Sequence, residues 1–410
     1  MQLQVVNSPA KLGFDVRRLG RIAEYFQAFV DDGRLPGWLV HVAREGESAF
    51  LASSGFRDVE AGLPVENDTV FRIYSMTKPI TSVAAMILYE RGAIRLNDPV
   101  SDYIPAFAEA RVFAKGSSEA PLTVGLNEPM RIWHLFTHTA GLTYGFMYAH
   151  PTDAIYRKRG FEWGQPPGMD LAESCAQWAS MPLAFQPGSS WSYSVATDVL
   201  GRVVEVASGM SLDEFFRTEI FEPLGMTDTA FWADEARQGR MAALYIPGPG
   251  EGRRAVRFDA FGNAALARPS TLSGGGGLVS TAADYFRFIT MLLNQGELED
   301  NRILGRKTVE LMATNHLPGN LDIESFGRPV FAESSDRGIG FGLGFSVVID
   351  KAAAKTPQSQ GTFAWGGAAS TTFWIDPAEG LTVEFFTQLL PSSTYVIADR
   401  LAPLVYQALL

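Results

Sequence analysis

The chain has 410 residues, 46 % hydrophobic and 19 % charged, more than one small domain needs and ample for two lobes around a large core. Acidic residues outnumber basic ones 45 to 34, a formal charge of −11; that sign repels phosphate backbones and anionic bilayers, so neither a nucleic acid nor a membrane is expected as partner. A lone cysteine, Cys175, excludes an internal disulfide and a cysteine-rich metal site.

Asp15 is placed to cap a helix in which Leu19, Ile22, Phe26 and Phe29 recur at helical spacing until Gly33 and Pro36. Trp38–Ala43 and Ser48–Ala52 flank Glu45-Gly46 and predict a strand, a turn and a strand. Helices are predicted over Ser75–Glu90, Thr197–Ala207, Leu212–Ile220 and Ala282–Leu293, the last opened by Thr281 and Asp284 in a capping arrangement. Four β-like runs follow at Gly344–Ile349, Gly361–Trp365, Thr371–Ile375 and Leu381–Phe386, and a helix over Thr394–Leu410 closes the chain. Strands at both ends with helices between them predict an α+β fold. Its antiparallel sheet is built from both termini and flanked by helices, with a mostly helical insertion. The predicted division is a sheet domain of residues 1–79 and 270–410, a helical domain of 80–269, and an active site between them.

Residues 132–152, 174–197 and 356–375 contain no Asp, Glu, Lys or Arg. They are too polar to cross a bilayer, and they are expected to wall a pocket. The N-terminal sequence has neither the basic start nor the apolar run of a secretory leader, so a reducing cytoplasm is the expected compartment.

The chemistry is concentrated in Ser75-Met-Thr-Lys78-Pro79 and the apolar run behind it. Pro79 lacks an N–H and is tolerated only in a first turn, so the helix starts close to Ser75. The serine hydroxyl then lies at the positive end of the helix dipole. Lys78, three residues on, shares its face and can take its proton. The pattern alone is cheap: Ser8 and Lys11 repeat it beside Pro9, where no helical periodicity runs through it. An N-cap serine beside a solvated lysine is the plain alternative at Ser75. Tyr193 lies on a loop after Pro187-Gly188 that leads into a helix. Trp365-Gly366-Gly367-Ala368 puts glycines in a strand, where a bulge or the close approach of another group needs them.

These residues resemble the three signature elements of the serine β-lactamase and penicillin-binding-protein superfamily. They are most similar to the family VIII carboxylesterases, which are themselves similar to class C β-lactamases. Arg131–Leu142, Phe185–Gly188, Glu222–Met226 and Gly274–Asp284 match in the same order, so the resemblance spans nearly the whole chain. It implies an acyl-enzyme on Ser75, with proton transfer shared by Lys78 and Tyr193 and the order of their action open. It also implies an oxyanion hole from the backbone N–H groups of Ser75 and Ala368, with Trp365, Gly366 and Gly367 beside the substrate. No metal and no cofactor are implied, and the partner is a small-molecule ester, the oligomeric state being unspecified. Two departures bear on specificity: Val195 stands where the lactamases carry asparagine, and Trp365 where they carry lysine or histidine. Both favour short-chain or aromatic neutral esters over anionic β-lactams. A β-lactamase or D-amino-acid peptidase, and an acyltransferase using the same residues, are the alternatives.

Other readings are weaker. An α/β-hydrolase needs a G-x-S-x-G elbow and a late histidine, and this chain has no such elbow and only His316 in its last third. His134 and His138 have the spacing of a helical zinc pair but lack the H-E-x-x-H glutamate. The glycines at 274–277 lack the lysine of a phosphate loop and are expected to form a flexible loop. Cys175 is expected to be a buried small residue.

Overall fold

Asp15 starts the first helix as its position predicts, its carboxylate accepting the amide hydrogens of Arg17 and Arg18 at 2.9 and 3.1 Å. The structure is a computed structural model that describes residues 3–5, 8–250, 252–327 and 337–410. The helix covers Val16–Asp31 (α1), with Leu19, Ile22, Phe26 and Phe29 as its buried stripe. Gly37–Arg44 (β1) and Glu47–Asp58 (β2) follow. Between them Glu45 and Gly46 have φ of 52° and 76°, the paired left-handed conformation whose twist suits a two-residue hairpin.

Leu63–Pro64 (β3), Ile339–Phe341 (β4), Ser346–Val348 (β5), Phe363–Gly366 (β6), Thr372–Asp376 (β7) and Leu381–Phe386 (β8) complete one sheet. Its order is β4-β5-β6-β7-β8-β1-β2-β3, and each neighbouring pair is antiparallel. The two ends of the chain meet at its centre, where Val40 faces Phe385 and Val42 faces Val383. The other helices that frame the site are Thr77–Glu90 (α2), Ala196–Ser208 (α3), Ala282–Leu293 (α4) and Ile397–Tyr406 (α5). The expected α+β architecture is therefore the observed one. Among the described residues no helix is long and apolar enough to cross a membrane.

Both sheet faces are covered, which is why β1 is buried along nearly its whole length. Val40, Val42, Val383 and Phe385 pack with Phe26, Leu401 and Val405 of α1 and α5. On the opposite face Leu39, Phe373 and Ile375 join Tyr285 and Ile289 of α4 and the residues of α2 in the main core. Strand β4 was not expected, and two helices differ from expectation. The last helix begins at Ile397 because Val396 takes a left-handed φ of 40°. The helix from Leu212 is α-helical only to Phe216 and widens to a π-helical turn over Arg217–Phe221.

One polar group lies inside this core. His41 of β1 contacts Glu384 Oε1 through Nδ1 at 3.0 Å and Ser48 Oγ through Nε2 at 2.8 Å, beneath the ring of Phe286. Burial pushes the Glu384 carboxyl well up and the His41 imidazole down to about 3, so the pair is held neutral. A histidine with a lowered folded pKa stabilises the fold above its unfolded value of 6.5, and that contribution is lost as pH falls toward 3. Replacing His41 by Asn should lower the slope of unfolding free energy against pH between those limits, by up to about 1.4 kcal/mol per pH unit, the slope for one proton, and so leave uncovered the opposite slope of the raised Glu384 carboxyl. An unchanged slope would show that His41 protonates equally in both states.

Candidate active site

The nucleophile candidate sits where a short strand meets a helix. Phe71–Arg72 pairs with Val279–Ser280. Tyr74 then takes a left-handed φ of 42°, and Tyr74–Met76 forms a single 3₁₀ turn ahead of α2. A non-glycine residue held in that conformation beside a reactive group is a common form of local strain at functional sites. Pro79 lies in the first turn of α2, as its missing N–H requires. All of Thr77 to Leu88 is buried, so α2 is enclosed by protein and holds Ser75 on a rigid support.

Three side chains predicted from separated parts of the sequence meet here. Tyr193 Oη donates to Ser75 Oγ at 2.6 Å, and Lys78 Nζ donates to the same oxygen at 3.3 Å. Lys78 is 1 % exposed, and its ammonium lies 4.5 Å from the centre of the Tyr193 ring. By contrast Ser8 and Lys11, the second copy of the spacing, are both exposed.

Two further residues complete the surroundings of the lysine. Lys78 Nζ donates to Tyr144 Oη at 3.2 Å and to the carbonyl of Gly275 at 2.6 Å. Burial, with the nearby Tyr193 and Asp198, pushes the Tyr144 phenol well above its ordinary range, so it remains a phenol. The Gly275 N–H donates to Asp198 Oδ1 at 3.1 Å, and Ser273 Oγ donates to the same oxygen at 2.5 Å. Burial raises the Asp198 carboxyl, partly offset by the Lys78 charge and these hydrogen bonds. Asp198 and Lys78 thus grip the N–H and the C=O of a single residue, Gly275.

The glycine run is accordingly not the flexible loop expected from its composition. Thr81 Oγ1 donates to Gly274 O at 2.7 Å, and Leu278 N–H donates to Thr77 Oγ1 at 3.1 Å. A Cβ on Gly275 would stand 2.3 Å from Asp198 Oδ2, so the glycines let the backbone wedge between α2 and α3.

Trp365 and Gly366 end β6. The Trp365 ring lies 5.5 Å from that of Tyr193 and edge-on to Phe341 at 5.3 Å. Gly367 is the point of close approach: a Cβ there would lie 2.4 Å from the carbonyl oxygen of Ile73, two residues before Ser75. The backbone leading into Ala368 is thereby brought against the turn that carries Ser75. His138 packs on the Tyr193 ring at 5.0 Å, and burial followed by the Lys78 charge keeps its imidazole well below the ordinary range.

His134 and His138 do not converge. His134 Nδ1 accepts the Arg131 N–H at 2.9 Å, while His138 Nδ1 contacts Ser194 Oγ at 3.1 Å. Among the described residues no cluster of three or more His, Cys, Asp or Glu side chains could hold a metal. Cys175 is buried and its thiol is pushed up by that burial.

The family model described as Beta-lactamase matches residues 22–407. The chain belongs to the beta-lactamase family. Esterase EstB of Burkholderia gladioli is 34 % identical over 395 residues, covering 92 % of this chain and 93 % of that protein. Lovastatin esterase of Penicillium rubens is 29 % identical over 389 residues, covering 91 % and 94 %. Among solved structures, EstCE1, described as a hydrolase with promiscuous acyltransferase activity, superposes with a TM-score of 0.81 at 28 % identity over 95 % of this chain and 99 % of that one. This beta-lactamase-family chain is a serine hydrolase whose relatives include both esterases and acyltransferases, in line with the resemblance its motifs carry.

Proposed function

We propose that the protein is a carboxylesterase that cleaves neutral short-chain or aromatic esters through an acyl-enzyme on Ser75. The observation that carries this reading is the convergence of Tyr193 Oη at 2.6 Å and Lys78 Nζ at 3.3 Å on one serine oxygen. When either partner has given up its proton, the Ser75 hydroxyl donates back along the same line as its oxygen attacks the ester carbonyl. The carbonyl oxygen takes up the negative charge. The Ser75 and Ala368 amides and the N-terminal end of α2 favour that charge. Collapse of the adduct expels the alkoxide, which recovers the proton, and water repeats the sequence to release the acid.

Such a site lies between a sheet-bearing part, residues 1–79 and 270–410, and a mostly helical part, 80–269. The uncharged stretches support neutral substrates, since Tyr144, Tyr193 and Trp365 come from 132–152, 174–197 and 356–375. Val195 supplies no amide and Trp365 no cation to hold an anionic β-lactam. A reducing cytoplasm fits the single buried thiol. Hydrolysis of p-nitrophenyl butyrate should exceed that of a cephalosporin in kcat/KM, and a cephalosporin turned over faster would overturn the assignment. Acyl transfer is the second reading, favoured by the likeness to EstCE1. Excess methanol during turnover separates the two by the ratio of methyl ester to free acid.

A further inference from the structure

A row of aromatic rings starts at the reacting centre and ends in solvent. Its inner member is Tyr144, whose phenol accepts from Lys78 Nζ at 3.2 Å. The Phe146 ring stacks on Tyr144 at 4.7 Å and 18°, and Trp163 stacks on Phe146 at 5.7 Å and 13°. Phe261 then meets Trp163 at 6.4 Å and 90°, and is itself backed by Phe258 at 5.3 Å and 17°. The row opens outward: Phe146 is half-buried, whereas Trp163 is 59 % and Phe261 37 % exposed.

The segments that carry these rings are fastened to one another. A Cβ on Gly145 would lie 2.3 Å from the carbonyl oxygen of Phe161, so the backbone beside Phe146 lies flat on the backbone beside Trp163. Arg157 Nη1 donates to Gly145 O at 2.5 Å, and the Tyr148 hydroxyl bonds Glu162. The Phe261 loop is held from beneath by Arg72, which is buried. Its Nε donates to Gly262 O at 3.0 Å and its Nη1 to Ala242 O at 2.5 Å. Arg72 stands three residues before Ser75, so the outer wall and the nucleophile share one strand as their base. Large rings left uncovered in a braced row, continuous with a reacting centre, offer flat apolar faces and an end wall to a ligand.

We propose that this row is a specificity shelf. A flat apolar group of the ester, aryl above all, lies along Phe146 and Trp163 with Phe261 as its end stop. The inference rests on the esterase reading and names the substrate class within it. The same ring chemistry could be carried on the acyl or on the alcohol side of the ester, and the substrates in the test separate the two. Three esters suffice: vinyl acetate as reference, vinyl 3-phenylpropanoate with the ring on the acyl side, and 1-naphthyl acetate with it on the alcohol side. Trp163→Ala should lower the kcat/KM of one aryl ester relative to vinyl acetate roughly tenfold, the scale of a lost stacking contact together with its buried area. Trp163→Phe, which keeps a stacking face, should restore most of that preference. Both ratios unmoved by Trp163→Ala would overturn the shelf. A binding measurement separates this outcome from failure of the esterase reading. In a Ser75→Ala background, calorimetric Kd values for the two aryl esters should rise roughly tenfold for one of them on Trp163→Ala. Two unmoved Kd values would overturn the shelf even in an active enzyme. Trp163-dependent binding in a protein that hydrolyses none of the three would uphold the shelf and sink the esterase reading.

Discussion

Ser75→Ala is expected to cut ester turnover by about 10⁴-fold or more, the scale seen when a nucleophile is removed from a covalent hydrolase. The loss follows from chemistry, because alanine forms no acyl-enzyme. Folding should survive. Lys78 loses its contact to Ser75 but keeps its bonds to Gly275 O and Tyr144 Oη, and the Tyr193 hydroxyl loses its bond to Ser75, a cost of about 1–3 kcal/mol for a buried donor. A fluorophosphonate should label the native enzyme on the peptide that contains Ser75 and should leave the variant unlabelled. An adduct on a different serine would overturn the assignment, as would turnover that persists in a folded Ser75→Ala protein.

Tyr193→Phe is expected to lower kcat by roughly 10² to 10⁴, the usual contribution of a positioned acid or base. The substitution removes one oxygen and keeps the ring between His138 and Trp365, so packing should change little. What it removes is the 2.6 Å contact to Ser75, leaving Lys78 alone at 3.3 Å. A serial relay would make the Lys78→Met loss and the Tyr193→Phe loss similar, with the double variant barely worse than either. Full activity in Tyr193→Phe would remove the phenol from proton transfer and leave the lysine as base.

Much of this site was legible because its chemistry depends on local spacing. A serine and a lysine three apart, closed off by Pro79, predict their own meeting, and the 3.3 Å contact is the result. Tyr193 was found through its family context, since nothing local distinguishes a catalytic phenol from a packed one. Tyr144 and Asp198 were missed as partners of Lys78. Tyr144 lies inside the uncharged stretch 132–152 and Asp198 ends the Tyr193 segment; only the tertiary fold brings Tyr144 onto the lysine and sets Asp198 behind it through Gly275. The glycine run was misread as flexible because composition reports backbone freedom and not the carboxylate that fills the space of the missing side chain. Strand β4 went unseen because three residues flanked by glycine carry almost no period. The late start of α5 depends on Val396, whose left-handed backbone no propensity anticipates for a β-branched residue.

The pairing of β8 with β1 ties the enzyme's competence to the order in which the ribosome makes it. Strand β1 emerges early, but the partner of its Leu39–Arg44 edge is residues 381–386, made some 340 residues later. At about 5–20 residues per second, that apolar edge waits on the order of tens of seconds for its neighbour. The Trp365–Ala368 segment arrives equally late, so a nascent chain that already carries Ser75, Lys78 and Tyr193 still lacks the ring that packs on Tyr193 and the glycine that lies against Ile73. The sheet that backs Ser75 is thereby completed only when synthesis is nearly finished.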